Sequence, residues 1–343
     1  MITSGGSGIK NLEVITDSAA PRTGSELTFA ADLGGTHLRA ATVDENGRIH
    51  FRLKQKTPHT ADPEDIVRAL VQAVRQCEKQ SKSSEGTICA VSVVVPGSVN
   101  VEQGLVVKAP NLSCLDGFQL TAALTSELKL PAVVENDANA AAVGEMWQGA
   151  GHGRRTIVCV TLGTGVGGGI ILDGKLWRGV NDSAAEIGHM CVDPFGGVAC
   201  LCGSRGCLEV YASATAIVRM AREARPRYPD SSLHCGEDLT AEDIYQAGMK
   251  GDELGLEIFR RMGVYLGIGL ANLINILNPE MIVIGGGVVN AWELFAKHMH
   301  REIAERAFPV PAAEIKVVPA ERGDDAGLLG AAYLAFNPNL QSI

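Results

Sequence analysis

Apolar residues along this chain switch repeatedly between two spacings. Leu27 to Asp32 is a short, mostly apolar run that reads as a strand. It turns through Leu33-Gly34-Gly35-Thr36, returns from His37 to Val43, and turns again at Glu45-Asn46-Gly47, which carries a hairpin dipeptide. Asp62-Pro63-Glu64 then precedes apolar residues at Ile66, Val67, Leu70, Val71, Val74 and Cys77, helical spacing behind a cap and a first-turn proline. Thr87 to Val95 is almost continuously apolar and stops at Pro96-Gly97, as a buried parallel strand does. A helix over Leu120 to Leu128 and a strand over Ala132 to Glu135 lead into Asn136-Asp137 and the alanine-rich helix Ala138 to Glu145.

The opening pattern then recurs. Thr156 to Thr161 reads as a strand, Leu162-Gly163-Thr164-Gly165 as its tip, Gly167 to Leu172 as the return, and Asp173-Gly174 as the next turn. Two hairpins with the same L-G tip predict two related α/β lobes with mixed sheets, facing one another. Beyond them the pattern is mostly helical. The apolar stretch Leu254 to Leu277 is interrupted by Glu257, Arg260, Arg261, Asn272 and Asn275, which marks a buried helix and not a membrane span. Asn278-Pro279 stops it, Met281 to Ile284 reads as a strand, and Gly285-Gly286-Gly287 as a turn. Residues 1–26 read as a flexible tail without the apolar core of a signal peptide, and Pro226 to Cys235 show no regular pattern.

Composition narrows the partners. With 343 residues the chain is long for one core and comfortable for two domains. Lys and Arg number 30 against 39 Asp and Glu, a net charge of −9 without a basic stripe, so nucleic acid is not an expected partner and neither is a membrane. Nine cysteines, an odd number scattered through apolar runs, suit free thiols in a reducing cytoplasm.

Candidate chemistry gathers in four places. Asp32, Gly34, Gly35 and Thr36 form a D-x-G-G-T turn whose amides and hydroxyl suit a polyphosphate, with Asp32 able to hold a metal-bound water. Gly163, Thr164 and Gly165 form the matching tip, so two phosphate clamps replace what would singly be an ordinary turn. Gly285, Gly286 and Gly287 could admit a flat base or ribose, or could simply be a packing turn. Asp137 is either a helix cap or a general base placed between the two tips.

The fourth place is the glycine-broken loop over residues 186–209. His189, Cys200, Cys202 and Cys207 supply one imidazole and three thiols at separations of 11, 2 and 5, the ligand set of a closed, structural tetrahedral zinc. Glu186 and Glu209 bracket the ligands and would be aimed by the metal at a polar ligand such as a sugar; Cys191 and Asp193 read as bystanders.

The D-L-G-G-T turn, V-E-N-D-A-N-A-A, L-G-T-G-V-G-G-G and E-I-G-H…C-L-C-G-S-R-G-C-L-E resemble the ROK family of repressors and sugar kinases, most closely its bacterial glucokinases, over about Phe29 to Phe336. The resemblance implies a two-lobed, actin-like (hexokinase, ribonuclease H-like) ATPase fold with a central cleft, commonly a homodimer. It implies a small α/β lobe over 27–144, completed by a C-terminal helix in 327–343, and a large lobe over 145–326. It implies Asp137 as catalytic base and Gly97, Asn111, Asn136, Glu186, His189 and Glu209 at the sugar. Thr36, Gly163, Thr164 and Gly286 match nucleotide positions. The implied reaction is ATP- and Mg²⁺-dependent phosphorylation of glucose at its 6-hydroxyl. N-acetylmannosamine, N-acetylglucosamine, fructose or allose would suit the same motifs, as would polyphosphate as donor. A sugar-sensing repressor is a further alternative, although an acidic chain with only 26 residues before the first strand is not expected to hold a DNA-binding module. One departure stands out: Phe118 takes the place nearest a tryptophan frequent in the family, at what would be the edge of the sugar pocket.

Overall fold

The computed structural model describes residues 25–81, 86–234 and 236–338. The expected tail therefore lies outside the described residues except for its last two positions, as do Cys235 and the last five residues.

Two sheets of the same construction form the frame. In the first half the order is β1 (Ser25–Leu33), β2 (His37–Asp44), β3 (Ile49–Lys56), α1 (Pro63–Ser81), β4 (Gly86–Val95), β5 (Ser98–Asn100), β6 (Leu105–Lys108), α2 (Leu120–Leu128), β7 (Ala132–Asn136) and α3 (Asp137–Gln148). The second half runs β8 (Ile157–Leu162), β9 (Val166–Leu172), β10 (Lys175–Leu176), α4 (Glu209–Ala212), α5 (Ala214–Ala224), α6 (Ala241–Met249) and α7 (Glu253–Leu277). It ends with β11 (Met281–Gly285), α8 (Trp292–Arg306), α9 (Pro309–Glu314), β12 (Lys316–Pro319) and α10 (Ala326–Phe336). The sheets are ordered β3-β2-β1-β4-β7 and β10-β9-β8-β11-β12. In each, an antiparallel meander is extended on its first strand by two parallel strands. The internal echo in the sequence is thus an echo of topology.

The elements follow from their residues. β4 is apolar because both its faces are covered, by α1 and α2 on one side and α10 on the other. Asp62 caps α1, accepting from the Glu64 N–H at 3.0 Å, and Ile66, Leu70, Val74 and Cys77 are buried beneath the helix. α7 buries most of its apolar positions and its glycines in the larger core, leaving Leu256 and Ile276 exposed, and stops where Asn278 turns left-handed. Among the described residues no helix is long and apolar enough to cross a membrane. The segment expected to lack structure is pinned by side chains: Arg225 donates to the carbonyls of Tyr228, Ser231 and Leu233, while Asp252 accepts from Ser231 and Ser232.

α3 and α10 lie between the sheets, with Ala140 and Leu328 packed toward the first and Val143 and Leu334 toward the second. They cross closely: a Cβ on Gly330 would sit 1.7 Å from the Ala140 carbonyl oxygen, and one on Gly144 would sit 2.0 Å from that of Ala326. Residue 144, the expected end of the small lobe, is inside α3.

Candidate active site

A cleft of about 760 Å³ opens between the two hairpin tips, inside the roughly 300–1,000 Å³ usual for small-molecule sites. It gathers Asp32, Gly34 and Gly35 from one tip and Gly163, Thr164 and Gly165 from the other. Gly97, Asn111, Asn136, Asp137, Glu186, His189, Glu209 and Gly286 complete the expected set that lines it. Thr36 instead lines an adjoining cavity of about 290 Å³ with His37, Arg39 and Lys54. Gly285 and Gly287 flank Gly286 without lining the cleft. Phe118 packs against the core of the first half and does not line the cleft either, so the departure at that position leaves the cleft wall untouched.

Asp137 is free for chemistry because its neighbour caps the helix. Asn136 Oδ1 accepts the Asn139 N–H at 2.9 Å, while Asn136 Nδ2 donates to the Gly97 carbonyl at 2.9 Å and to Asp137 Oδ1 at 3.1 Å. Both Asn136 amide hydrogens are thereby used within the protein. Asp137 Oδ1 also accepts the Ala138 N–H at 2.9 Å, so Oδ2 is the oxygen left over. The residue is exposed by area, but what it is exposed to is the cleft, whose walls replace most of the bulk solvent around it. That withdrawal from water, and then the Asp32 carboxylate, push the Asp137 carboxyl up to about 6.

Asp32 is held by Arg39, which donates to its Oδ2 through Nη2 at 2.5 Å and Nε at 3.1 Å and reaches Asp324 at 2.9 Å. Burial raises the Asp32 carboxyl while Arg39 pulls it down. Its Oδ1 takes no part in this pair.

Both tips present unused amides. Among the described residues, the N–H groups of Gly35, Thr36, Thr164 and Gly165 donate to no protein acceptor. The second tip is fastened from behind, where its Gly163 and Thr164 carbonyls accept from the Ala214 N–H and the Thr215 hydroxyl at 2.8 Å each. Gly286 adopts φ +84° against this tip, and a Cβ there would lie 2.3 Å from the Leu162 carbonyl oxygen. Only glycine meets both conditions.

The ligand atoms of His189, Cys200, Cys202 and Cys207 all lie within 4.8 Å of one another. Cys202 and Cys207 Sγ are 3.7 Å apart, and Cys200 Sγ is 3.7 Å from His189 Nδ1. Zinc–sulfur bonds of about 2.3 Å at tetrahedral angles separate sulfurs by about 3.8 Å, so the cluster fits such an ion. His189 turns its other nitrogen, Nε2, away from the thiols, 3.9 Å from Glu186 Oε2. Glu209 Oε2 accepts the Val166 N–H at 3.0 Å, tying the end of this loop to the β8–β9 hairpin. Cys191 and Asp193 stand outside this cluster, as expected; the Asp193 carboxylate accepts the Tyr211 hydroxyl at 2.7 Å, and the Tyr211 hydroxyl oxygen accepts the Val198 N–H at 3.0 Å.

The cleft also contains residues the sequence reading passed over, among them Arg39, Lys108, Thr161, Gly323, Asp324 and Gly327. Arg39 carried a signal, being the one basic residue besides His37 in strand β2, just past the glycine turn. Gly323, Asp324 and Gly327 carried none, because they enter the cleft only through the return of α10 to the first sheet.

The ROK family profile matches residues 28–337. The chain belongs to the ROK family. Among ROK proteins, the glucokinase of Halalkalibacterium halodurans is 38% identical over 307 residues, spanning 88% of this chain and 93% of its own. A ROK glucokinase from Streptomyces griseus, solved with glucose and AMPPNP, is 36% identical with a TM-score of 0.75, over 91% of this chain and 99% of its own. A ROK transcriptional regulator homologous to the E. coli MLC protein is 29% identical with a TM-score of 0.83, over 90% of this chain and 78% of its own. The two-lobed actin-like fold is therefore shared by ROK kinases and ROK regulators.

Proposed function

We propose that this ROK protein is a glucokinase that transfers the γ-phosphoryl group of ATP to the 6-hydroxyl of glucose. The observation that carries the reading is the placement of Asp137, with Oδ2 unengaged, in one cleft with two hairpin tips that have unused amides. The sugar hydroxyl oxygen attacks the γ-phosphorus, the bond from that phosphorus to the β–γ bridging oxygen breaks, and the hydroxyl proton passes to Asp137 Oδ2. Gly35, Thr164 and Gly165 stabilise the charge that develops on the phosphoryl oxygens through amides already in place. Mg²⁺, when bound with the nucleotide, would supply further neutralisation of the phosphates, and Asp32, whose Oδ1 is not used by Arg39, would hold its water shell.

Glu186, His189 and Glu209 are read as acceptors and donors for the sugar hydroxyls. His189 would face zinc through Nδ1 and the sugar through Nε2, with Cys200, Cys202 and Cys207 closing a structural metal shell. Residues 27–144, completed by the C-terminal helix in 327–343, are assigned to the small lobe and 145–326 to the large one, and the two would close on the sugar to exclude water. A homodimer in the cytoplasm belongs to the same proposal; the dimer is supported by exposed apolar Ile276, Phe308 and Val310, whose segments meet where Asn275 Oδ1 accepts the Phe308 N–H.

A panel of glucose, fructose, allose, N-acetylmannosamine and N-acetylglucosamine, each tried with ATP and with polyphosphate, tests the reading. Glucose with ATP is expected to give the highest kcat/KM. Another leading sugar or donor would replace that assignment. No phosphorylation, together with sugar-sensitive DNA binding, would make the chain a regulator.

A further inference from the structure

The start of α3 is wired to a buried ion pair. Glu135, the residue before Asn136, is fully buried and Arg178 nearly so, at 0% and 3% side-chain exposure. Arg178 donates to Glu135 Oε2 through Nε at 2.8 Å and Nη2 at 2.6 Å. Glu135 Oε1 accepts the Asn136 N–H at 2.9 Å and Asn139 Nδ2 at 3.1 Å. Arg178 follows β10 in the second half of the chain, where its carbonyl accepts the Ala184 N–H at 2.9 Å. A clamp rooted beside the second sheet thus grips the β7–α3 junction of the first.

Net stability is a poor account of this pair. Removing two charges from water costs about as much as their attraction returns, and Arg178 Nη1 is buried with no partner among the described residues. What the pair does hold is direction. Glu135 fixes the amide of Asn136, whose side chain in turn caps α3 and grips Asp137 Oδ1.

We propose that Arg178 is a positioning residue: by clamping Glu135 it sets the direction in which Asp137 presents Oδ2 to the sugar hydroxyl. The inference rests on the reading of Asp137 as base. R178M alone strands a buried carboxylate, so it lowers the melting temperature as well as kcat. The E135Q/R178M double variant removes both charges while retaining an amide oxygen for Asn136, and it is the discriminating protein.

Melting curves, glucose kinetics and ATP binding are measured for R178M, E135Q/R178M and D137N, well below each melting temperature. In E135Q/R178M the melting temperature is expected to recover relative to R178M while kcat stays roughly 10- to 100-fold below wild type, the cost of a base displaced by a fraction of an ångström to 1 Å. KM for glucose and Kd for ATP should change by less than about threefold, since neither Glu135 nor Arg178 lines the cleft. Recovery of kcat to within about twofold of wild type overturns the proposal, as does a loss expressed in KM with kcat intact. A D137N enzyme that keeps its turnover removes the base reading and the clamp with it. Loss of turnover in D137N with full turnover in E135Q/R178M removes the clamp alone.

Discussion

The pH dependence of phosphoryl transfer follows from the position of Asp137. As the proposed base, Asp137 would work only when ionised, and its carboxyl is pushed up to about 6. About nine-tenths of it is then ionised at pH 7 and about one-tenth at pH 5, so kcat/KM should fall nearly tenfold across that interval. A carboxyl at its ordinary value of 3.8 would still be mostly ionised at pH 5 and the rate would barely change. The cause can be tested separately from the position. After burial, the Asp32 carboxylate is the next contribution that raises Asp137, so D32N should move the acid limb to lower pH whatever it does to the maximal rate. Arg39, released from Asp32, acts in the same direction. Glucose 6-phosphate is best measured in quenched samples, which keeps coupling enzymes out of the profile. An acid limb that persists unchanged in the residual activity of D137N would assign it to another group. A limb that stays in place in D32N would refute the electrostatic account.

The same shift has a stability consequence of defined sign. A carboxyl raised in the folded state makes ionisation costly there, a penalty fully present above about pH 6 and lost as pH falls toward 3.8. D137N should therefore melt higher than wild type at pH 7.5, and the difference should shrink below pH 5; no difference at pH 7.5 would contradict the burial. Chelation, or C202S, should weaken glucose binding in calorimetry far more than nucleotide binding, because the cluster carries His189 and lies between Glu186 and Glu209. Equal loss of both would make the loop a support for the whole lobe. G286A, with its Cβ driven against the Leu162 carbonyl at positive φ, should cost roughly 2–5 kcal/mol in denaturant melts and weaken nucleotide binding. An unchanged melt would mean that the tip yields easily.

Much of the frame was legible because its signals are local. Periodicity and punctuation placed α2 at its observed bounds and α7 to within a residue at its start, and the repeated L-G tips announced two sheets of one topology. The four metal-binding candidates were legible too, since a loop of this length has to bring its own thiols together. Residues 228–234 form no helix or strand, as their irregular pattern implies, but what pins them is Arg225 and Asp252, side-chain partners that leave no periodic trace.

By itself, the order of residues determined the elements, the two glycine tips, the metal-binding candidates and the family. Tertiary structure decided which groups act on one another. It gave Asn136 the capping role and so freed Asp137, brought Asp32 near enough to raise that carboxyl, and placed Phe118 in the core. It also joined Glu135 to Arg178 across the two halves. Helical and strand spacing is written within a few neighbouring residues, whereas charge, burial and the direction of a side chain depend on atoms that only packing brings close.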